Sequence, residues 1–171
     1  MSDIRIRNAT IEDAGVILEL IQALAEFEKL AHEVKATRAQ LEATLFGAKP
    51  SAEVLIAEVS PESANEGAWR NAGFALFFTS YSTFLGKPGL YLEDLFIRPE
   101  FRSRGLGEKM LGELARIAVE RDSGRLEWSV LDWNKRAWEF YARLGATPLT
   151  DWTVHRVAGE ALKNLAEGGA R

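Results

Sequence analysis

The stretch YLEDLFIRPEFRSRGLGEKMLGE, Tyr91 to Glu113, decides how this chain is read. Tyr91, Leu92, Leu95, Phe96 and Ile97 are the aromatic and branched residues a buried strand favours, and Pro99, lacking a backbone donor, ends that strand. Leu106, Met110, Leu111, Leu114, Ile117 and Ala118 then recur at helical spacing, which predicts that the Arg-x-x-Gly-x-Gly segment from Arg102 to Gly107 lies at a helix N-terminus. The first amides of a helix have no carbonyl partner within it, and the macrodipole makes that end positive, so a helix start attracts anions. Glycines at 105 and 107 let a bulky anion approach the backbone, while Arg98, Arg102, Arg104 and Lys109 add charge. The arrangement reads as a pyrophosphate cradle.

Spacing excludes two common cradles. A Walker A loop needs Gly-Lys-Ser/Thr, and here Glu108 follows Gly107; a dinucleotide fingerprint needs a small residue where Met110 stands. Taken alone, the pattern also describes a helix start whose glycines serve only a tight turn. Two features add to it. The preceding strand carries Glu93 and Asp94 in mid-run, where ionised carboxylates are costly unless paired or needed. Simple alternation puts these two acids on opposite faces. Downstream, VLDWNKRAWEFYARLGA, Val130 to Ala146, joins a strand end to a helix that begins near Asn134 and ends at Gly145.

Strand acid, Arg-x-x-Gly-x-Gly, long helix, strand, Asn and Phe-Tyr-x-x-x-Gly-Ala together resemble the GCN5-related N-acetyltransferases (GNAT), most strongly over residues 89–146. Tyr-Leu-Glu-Asp, Leu-Asp-Trp-Asn and the opening IRNATIEDAGVILELIQALAEFEKL are similar to the diamine branch, which includes spermidine/spermine and thialysine acetyltransferases. The resemblance implies acetyl-CoA as co-substrate, held by Leu95, Phe96 and Ile97, by Arg102, Ser103, Arg104, Gly105, Leu106, Gly107 and Glu108, and by Asn134, Lys135, Arg136 and Ala137. It implies a cationic amine lying against Phe27, Glu28, Glu93, Asp94 and the segment Glu127, Trp128 and Ser129. An alkylammonium, with a pKa of about 10.4, must lose a proton before it attacks a thioester. Glu93 is the candidate base, directly or through a water, and Asp94 is expected to orient substrate or to satisfy the fold. Tyr141 matches the family tyrosine that protonates the departing sulfur; as an ordinary residue it would pack with Phe140 and Leu144. A strand bulge in the family frees an amide for the developing oxyanion, expected here near Leu95 or Phe96. Asn134 contacts the pantetheine arm in this reading, or else only caps its helix.

With 171 residues, 47% of them hydrophobic, the chain reads as one domain spanning 1–171. Its start lacks the pattern of a signal peptide, and no apolar run approaches the roughly 18 residues of a membrane span, so a cytoplasmic location is expected. Zero cysteines exclude disulfides and thiolate chemistry. A net charge of -4 argues against nucleic acid and suits a cationic substrate, to which Glu26, Glu28 and Glu33 could offer an acidic rim. His32 and His155 have no companion ligands in sequence, so no metal is expected, and no Gly-x-Ser-x-Gly elbow is present.

Element order predicts an α/β fold with a mixed sheet of six or seven strands and helices on both faces. Strands are expected at Ile4 to Ile6, 53–59, Ala72 to Tyr81, the organising stretch, Leu126 to Leu131 and Trp152 to Val157. Helices are expected from Thr10, from Thr37 to Leu45, after Gly105, after Asn134 and from Glu160 to Leu165, with a polar loop over Ser60 to Asn71 and a turn over Ser82 to Gly89. The apolar terminal strand suggests a homodimer. Against the diamine branch, Ser82 and Phe84 stand where spermidine/spermine enzymes carry an acid and a tryptophan, which leaves a monoamine such as thialysine at least as good an acceptor as a polyamine. Two other functions fit the chain less well: a non-catalytic acyl-CoA-binding module, and acetylation of a protein amine.

Overall fold

The computed structural model describes residues 3–61 and 68–168. Its contacts divide into two compact units, Met1–Ser129 and Val130–Arg171.

The first unit is built on a five-stranded sheet in sequential order: β1 (Ile4–Asn8), β2 (Glu53–Val59), β3 (Arg70–Ser82), β4 (Lys87–Ile97) and β5 (Leu126–Trp128). The first four strands pair antiparallel, and β5 joins β4 in parallel. The sheet is mixed as expected but shorter. Trp152 to Val157 takes no strand pairing, and the expected strand over Leu126 to Leu131 stops at Trp128. Apolar alternation at 152–157 is compatible with a strand, yet a strand exists only where a neighbour supplies hydrogen bonds, which sequence does not record.

Two helices, α1 (Ala14–Phe27) and α2 (Arg38–Phe46), cover one face of the sheet. Ile17 and Leu20 of α1 and Leu41 and Leu45 of α2 bury against Val54, Ile56, Phe74 and Phe96. Residues two apart on a strand share a face, and Phe74 is opposite Phe96 in register, so this cluster fixes which side chains look toward α1. On the opposite face lies α3 (Leu106–Glu120), whose Leu106, Met110, Leu111, Leu114 and Ile117 are buried. The guanidinium of Arg121, just past α3, stands 5.9 Å from the ring of Phe77, a neighbour of the α1-facing Leu76 and Phe78 in β3.

Helix starts follow the caps read from sequence. Thr37 accepts from the Gln40 amide at the head of α2 and Gly47 closes it, while Thr10 and Asp13 form a capping box at a single 3-10 turn, Ile11–Asp13, that leads into α1. Asp13 is also held by Arg7, with Nη1 to Oδ2 at 2.7 Å, and Arg7 and Arg5 share the buried Glu58, which ties the edge strand to the helix. The expected loop over Ser60 to Asn71 is interrupted at Arg70, where β3 already begins, and residues 62–67 lie outside the described residues.

The second unit contains α4 (Lys135–Arg143) and α5 (Gly159–Ala166). Among the described residues no helix is long and apolar enough to cross a membrane.

Candidate active site

The geometry of the site follows from one irregularity in β4. Leu76 is opposite Asp94 and Phe77 is opposite Leu92, so Glu93 has no partner across β3 and forms a bulge. Toward β5, β4 pairs only at Leu90, Tyr91 and Leu92, opposite Leu126, Glu127 and Trp128. From Glu93 to Ile97 the edge of β4 turned toward β5 therefore has no strand alongside it. The amide of Arg98 donates to Ala72 of β3 at 2.8 Å, and counting back in alternation, the amide of Phe96 also faces β3 while those of Leu95 and Ile97 face the vacated edge. Of the two positions expected to offer an oxyanion donor, the strand thus turns Leu95 outward. Phe96 is 4% exposed in the α1–α2 core, so any contact it makes with a bound molecule is limited to its backbone.

The bulge also changes where the acids stand. Simple alternation puts Glu93 and Asp94 on opposite faces; with one extra residue inserted, Asp94 shares the α1 face with Tyr91 three positions earlier and with Leu76 and Phe78 of β3. Burial, and secondarily the charges of Glu93 and Glu28, push the Asp94 carboxyl up to about 6. Burial also raises the Glu28 carboxyl, at the C-terminal end of α1. The strand acids and the end of α1 therefore act on one another. Along the same face, the Phe78 and Tyr91 rings lie 5.2 Å apart, and the Tyr91 hydroxyl and Ser129 Oγ are 2.8 Å apart across the start of the opening. Glu127 pairs with Arg125 at 2.7 Å.

Past β4 a short 3-10 turn, Pro99–Phe101, leads to the glycine loop. Ser103 and Gly105 take positive φ, 61° and 77°, and Gly105 is the residue that permits α3 to start abruptly. The Lys109 amide donates to the Gly105 carbonyl at 3.0 Å, so the amides of Leu106, Gly107 and Glu108 precede the first intrahelical acceptor. A helix thus starts directly after the glycine loop, where the sequence predicts one. The four cations assigned to the expected cradle are not all turned the same way. Arg98 pairs with Glu19 of α1 at 3.5 Å, and Arg102 donates from Nε to the Ile97 carbonyl at 2.8 Å with its guanidinium over Phe27 and Phe96. Arg104 stands 5.8 Å over the Phe101 ring.

Within the second unit, Asn134 caps α4, its side-chain oxygen accepting from the Ala137 amide at 3.2 Å. Lys135 and Arg136 are exposed at the first turn. Tyr141 packs with Phe140, ring centroids 5.3 Å apart, and burial raises its hydroxyl above the ordinary tyrosine value, so it keeps its proton at neutral pH.

A family model described as the acetyltransferase (GNAT) family matches residues 18–146. The chain is 40% identical over 169 residues to a thialysine N-epsilon-acetyltransferase of Bos taurus, covering 97% of this chain and 99% of the relative. The chain belongs to the GNAT acetyltransferase family. It is also 34% identical to an L-ornithine N5-acetyltransferase of Arabidopsis thaliana, covering 94% of this chain and 87% of that protein. Among solved structures, an integron cassette protein from V. cholerae superimposes with a TM-score of 0.75 at 21% identity, covering 96% and 98% of the two chains, which shows the shared fold. As a GNAT member the chain is an N-acetyltransferase, and enzymes of this family use acetyl-CoA as co-substrate.

A carboxyl whose pKa is higher in the fold than in the unfolded chain opposes folding wherever it must ionise. For Asp94 that penalty is absent below its ordinary value of 3.8 and grows as pH rises through about 6. Asp94→Asn should therefore stabilise the protein by on the order of 1–3 kcal/mol at pH 7.5 and by much less at pH 4, measured by thermal unfolding. An equal effect at both pH values would show that this carboxylate is not strained.

Proposed function

We propose that the enzyme moves an acetyl group from acetyl-CoA to the terminal primary amine of a small cationic molecule on a short alkyl chain, in the manner of thialysine or ornithine. The observation that carries this reading is the bulge at Glu93, which combines an outward amide at Leu95 with carboxylates gathered on the α1 side. The named activities of the bovine and plant relatives, both on side-chain amines of amino acids, point the same way.

In this mechanism the amides of Leu106, Gly107 and Glu108, with Arg104, hold the diphosphate, and Ser103, Gly105 and the outer edge of Leu95 to Ile97 line the pantetheine. Asn134, Lys135, Arg136 and Ala137 are the remaining carrier contacts that the family resemblance implies. Asp94 and Glu28 attract the ammonium, whose arrival offsets the repulsion among the acids. Phe27 and the segment Glu127, Trp128 and Ser129 border the acceptor. Glu93, exposed at the bulge, takes the proton from the ammonium through a water. The neutral amine attacks the thioester carbon, the Leu95 amide stabilises the developing oxyanion, and the C–S bond breaks. Tyr141 gives its proton to the departing sulfur and is reprotonated by the second proton lost from the attacking nitrogen, so that CoA leaves as a thiol and the product as a neutral amide.

The acceptor is set by how much positive charge the site can hold. Ser82 is 4% exposed and accepts from the Leu85 amide within the β3–β4 turn, so it offers no second carboxylate for a long polycation. The enzyme also works as a homodimer in this reading: Leu149, Trp152, Val154, Val157, Leu162 and Leu165 are all at least 50% exposed, an apolar run that a second copy would cover. Sedimentation at twice the 19.0 kDa chain mass is expected, and a monomer at micromolar concentration would remove the dimer.

Release of CoA thiol measured with a panel of amines should give the highest kcat/KM for thialysine- or ornithine-like acceptors over spermidine. Tyr141→Phe should lower kcat by about 10- to 100-fold while leaving the acetyl-CoA Kd within twofold. Thiol release from no amine, despite acetyl-CoA binding, would favour a non-catalytic acyl-CoA module.

A further inference from the structure

Two arginines that sequence assigns to the phosphate cradle face α1 instead. Arg98 reaches Glu19 at 3.5 Å. Arg102 makes the more specific arrangement. The Ile97 carbonyl, turned to the same vacated edge as its own amide, has no neighbouring strand to donate to it, and Arg102 Nε supplies the donor at 2.8 Å. That bond fixes the plane of the guanidinium, which lies 4.7 Å from the centroid of Phe27 and 5.5 Å from that of Phe96. Phe96 is anchored in the core; Phe27 is 41% exposed and is the last residue of α1. One flat cation thus joins a fixed ring to the ring at the helix end, next to Glu28.

We propose that Arg102 is a positioning residue for the amine: by holding Phe27 it fixes the end of α1, and with it the Glu28 carboxylate that acts on Asp94, at a place set by the donor loop. The inference rests on the acceptor lying at the α1 end, as in the reading above. Its physical content is that planarity and the Nε–H bond matter at this position, and charge alone does not. Lysine keeps the charge that would attract a diphosphate, but has neither the flat face nor the fixed donor.

Arg102→Lys and Arg102→Ala should therefore behave alike. Each raises the amine KM roughly tenfold, through loss of the guanidinium's hold on Phe27. Arg102→Lys leaves the acetyl-CoA Kd, measured by calorimetry without turnover, within twofold of wild type. Phe27→Ala raises the amine KM by the same factor, and adding Arg102→Lys to it changes little further. Without any substrate, the amides of Glu28 and Leu30, which donate to Leu24 and Ala25, exchange hydrogen faster in both Arg102 variants. Wild-type amine KM and exchange in Arg102→Lys, or a weakened acetyl-CoA Kd in Arg102→Ala that lysine restores, would overturn the proposal and return Arg102 to the phosphate. The exchange measurement stands even if no amine proves to be an acceptor, so failure of the acetyltransferase reading and failure of this inference are separable.

Discussion

The register break at Glu93 is the constraint from which the rest of the first unit follows. A strand paired on both edges offers nothing to a ligand, because its backbone donors and acceptors are already used. Here β4 is paired with β3 on both sides of the bulge but has β5 beside it for only three residues. Beyond Leu92 one edge is left with polar groups that must be satisfied by something else. Arg102 satisfies the Ile97 carbonyl, and in the proposed reaction the thioester arm and oxyanion take the remaining donors.

The same inserted residue places charge where the fold alone would not. Asp94 is turned under the end of α1, where burial and neighbouring acids oppose its ionisation. A sheet optimised for stability would carry a neutral residue there. In the proposed function a cationic acceptor offsets part of that cost, because the charges of Asp94, Glu93 and Glu28 that repel one another each attract an ammonium. Under that proposal binding and stability are opposed at one side chain, as expected where function sets the residue.

Much of this was legible in the chain. The strand–loop–helix at Tyr91 to Glu113 was recoverable because Pro99, the glycines and the apolar period of α3 are local signals, and the caps at Thr37 and Asn134 were read for the same reason. The bulge is expected only through the family resemblance, with its free amide near Leu95 or Phe96; as a mismatch between β3 and β4 it shows only when both are paired, so residue alternation alone sets Glu93 and Asp94 simply on opposite faces. The direction of Arg98 and Arg102 was lost likewise: a basic loop before a helix reads as phosphate charge, whereas the partners, Glu19, Phe27 and Phe96, are remote in sequence. The final strand failed because residues 152–157 have the apolar pattern of a strand without an intrachain neighbour to pair with.

Amide hydrogen exchange of the enzyme with and without CoA tests the central claim most directly, because the account assigns the carrier to specific backbone donors. Protection should rise at Leu106, Gly107 and Glu108 and at the outward amides of Leu95 and Ile97, with the β3-facing amide of Phe96 unchanged. Tight CoA binding that leaves both groups unprotected, or that protects a different part of the first unit, would contradict it.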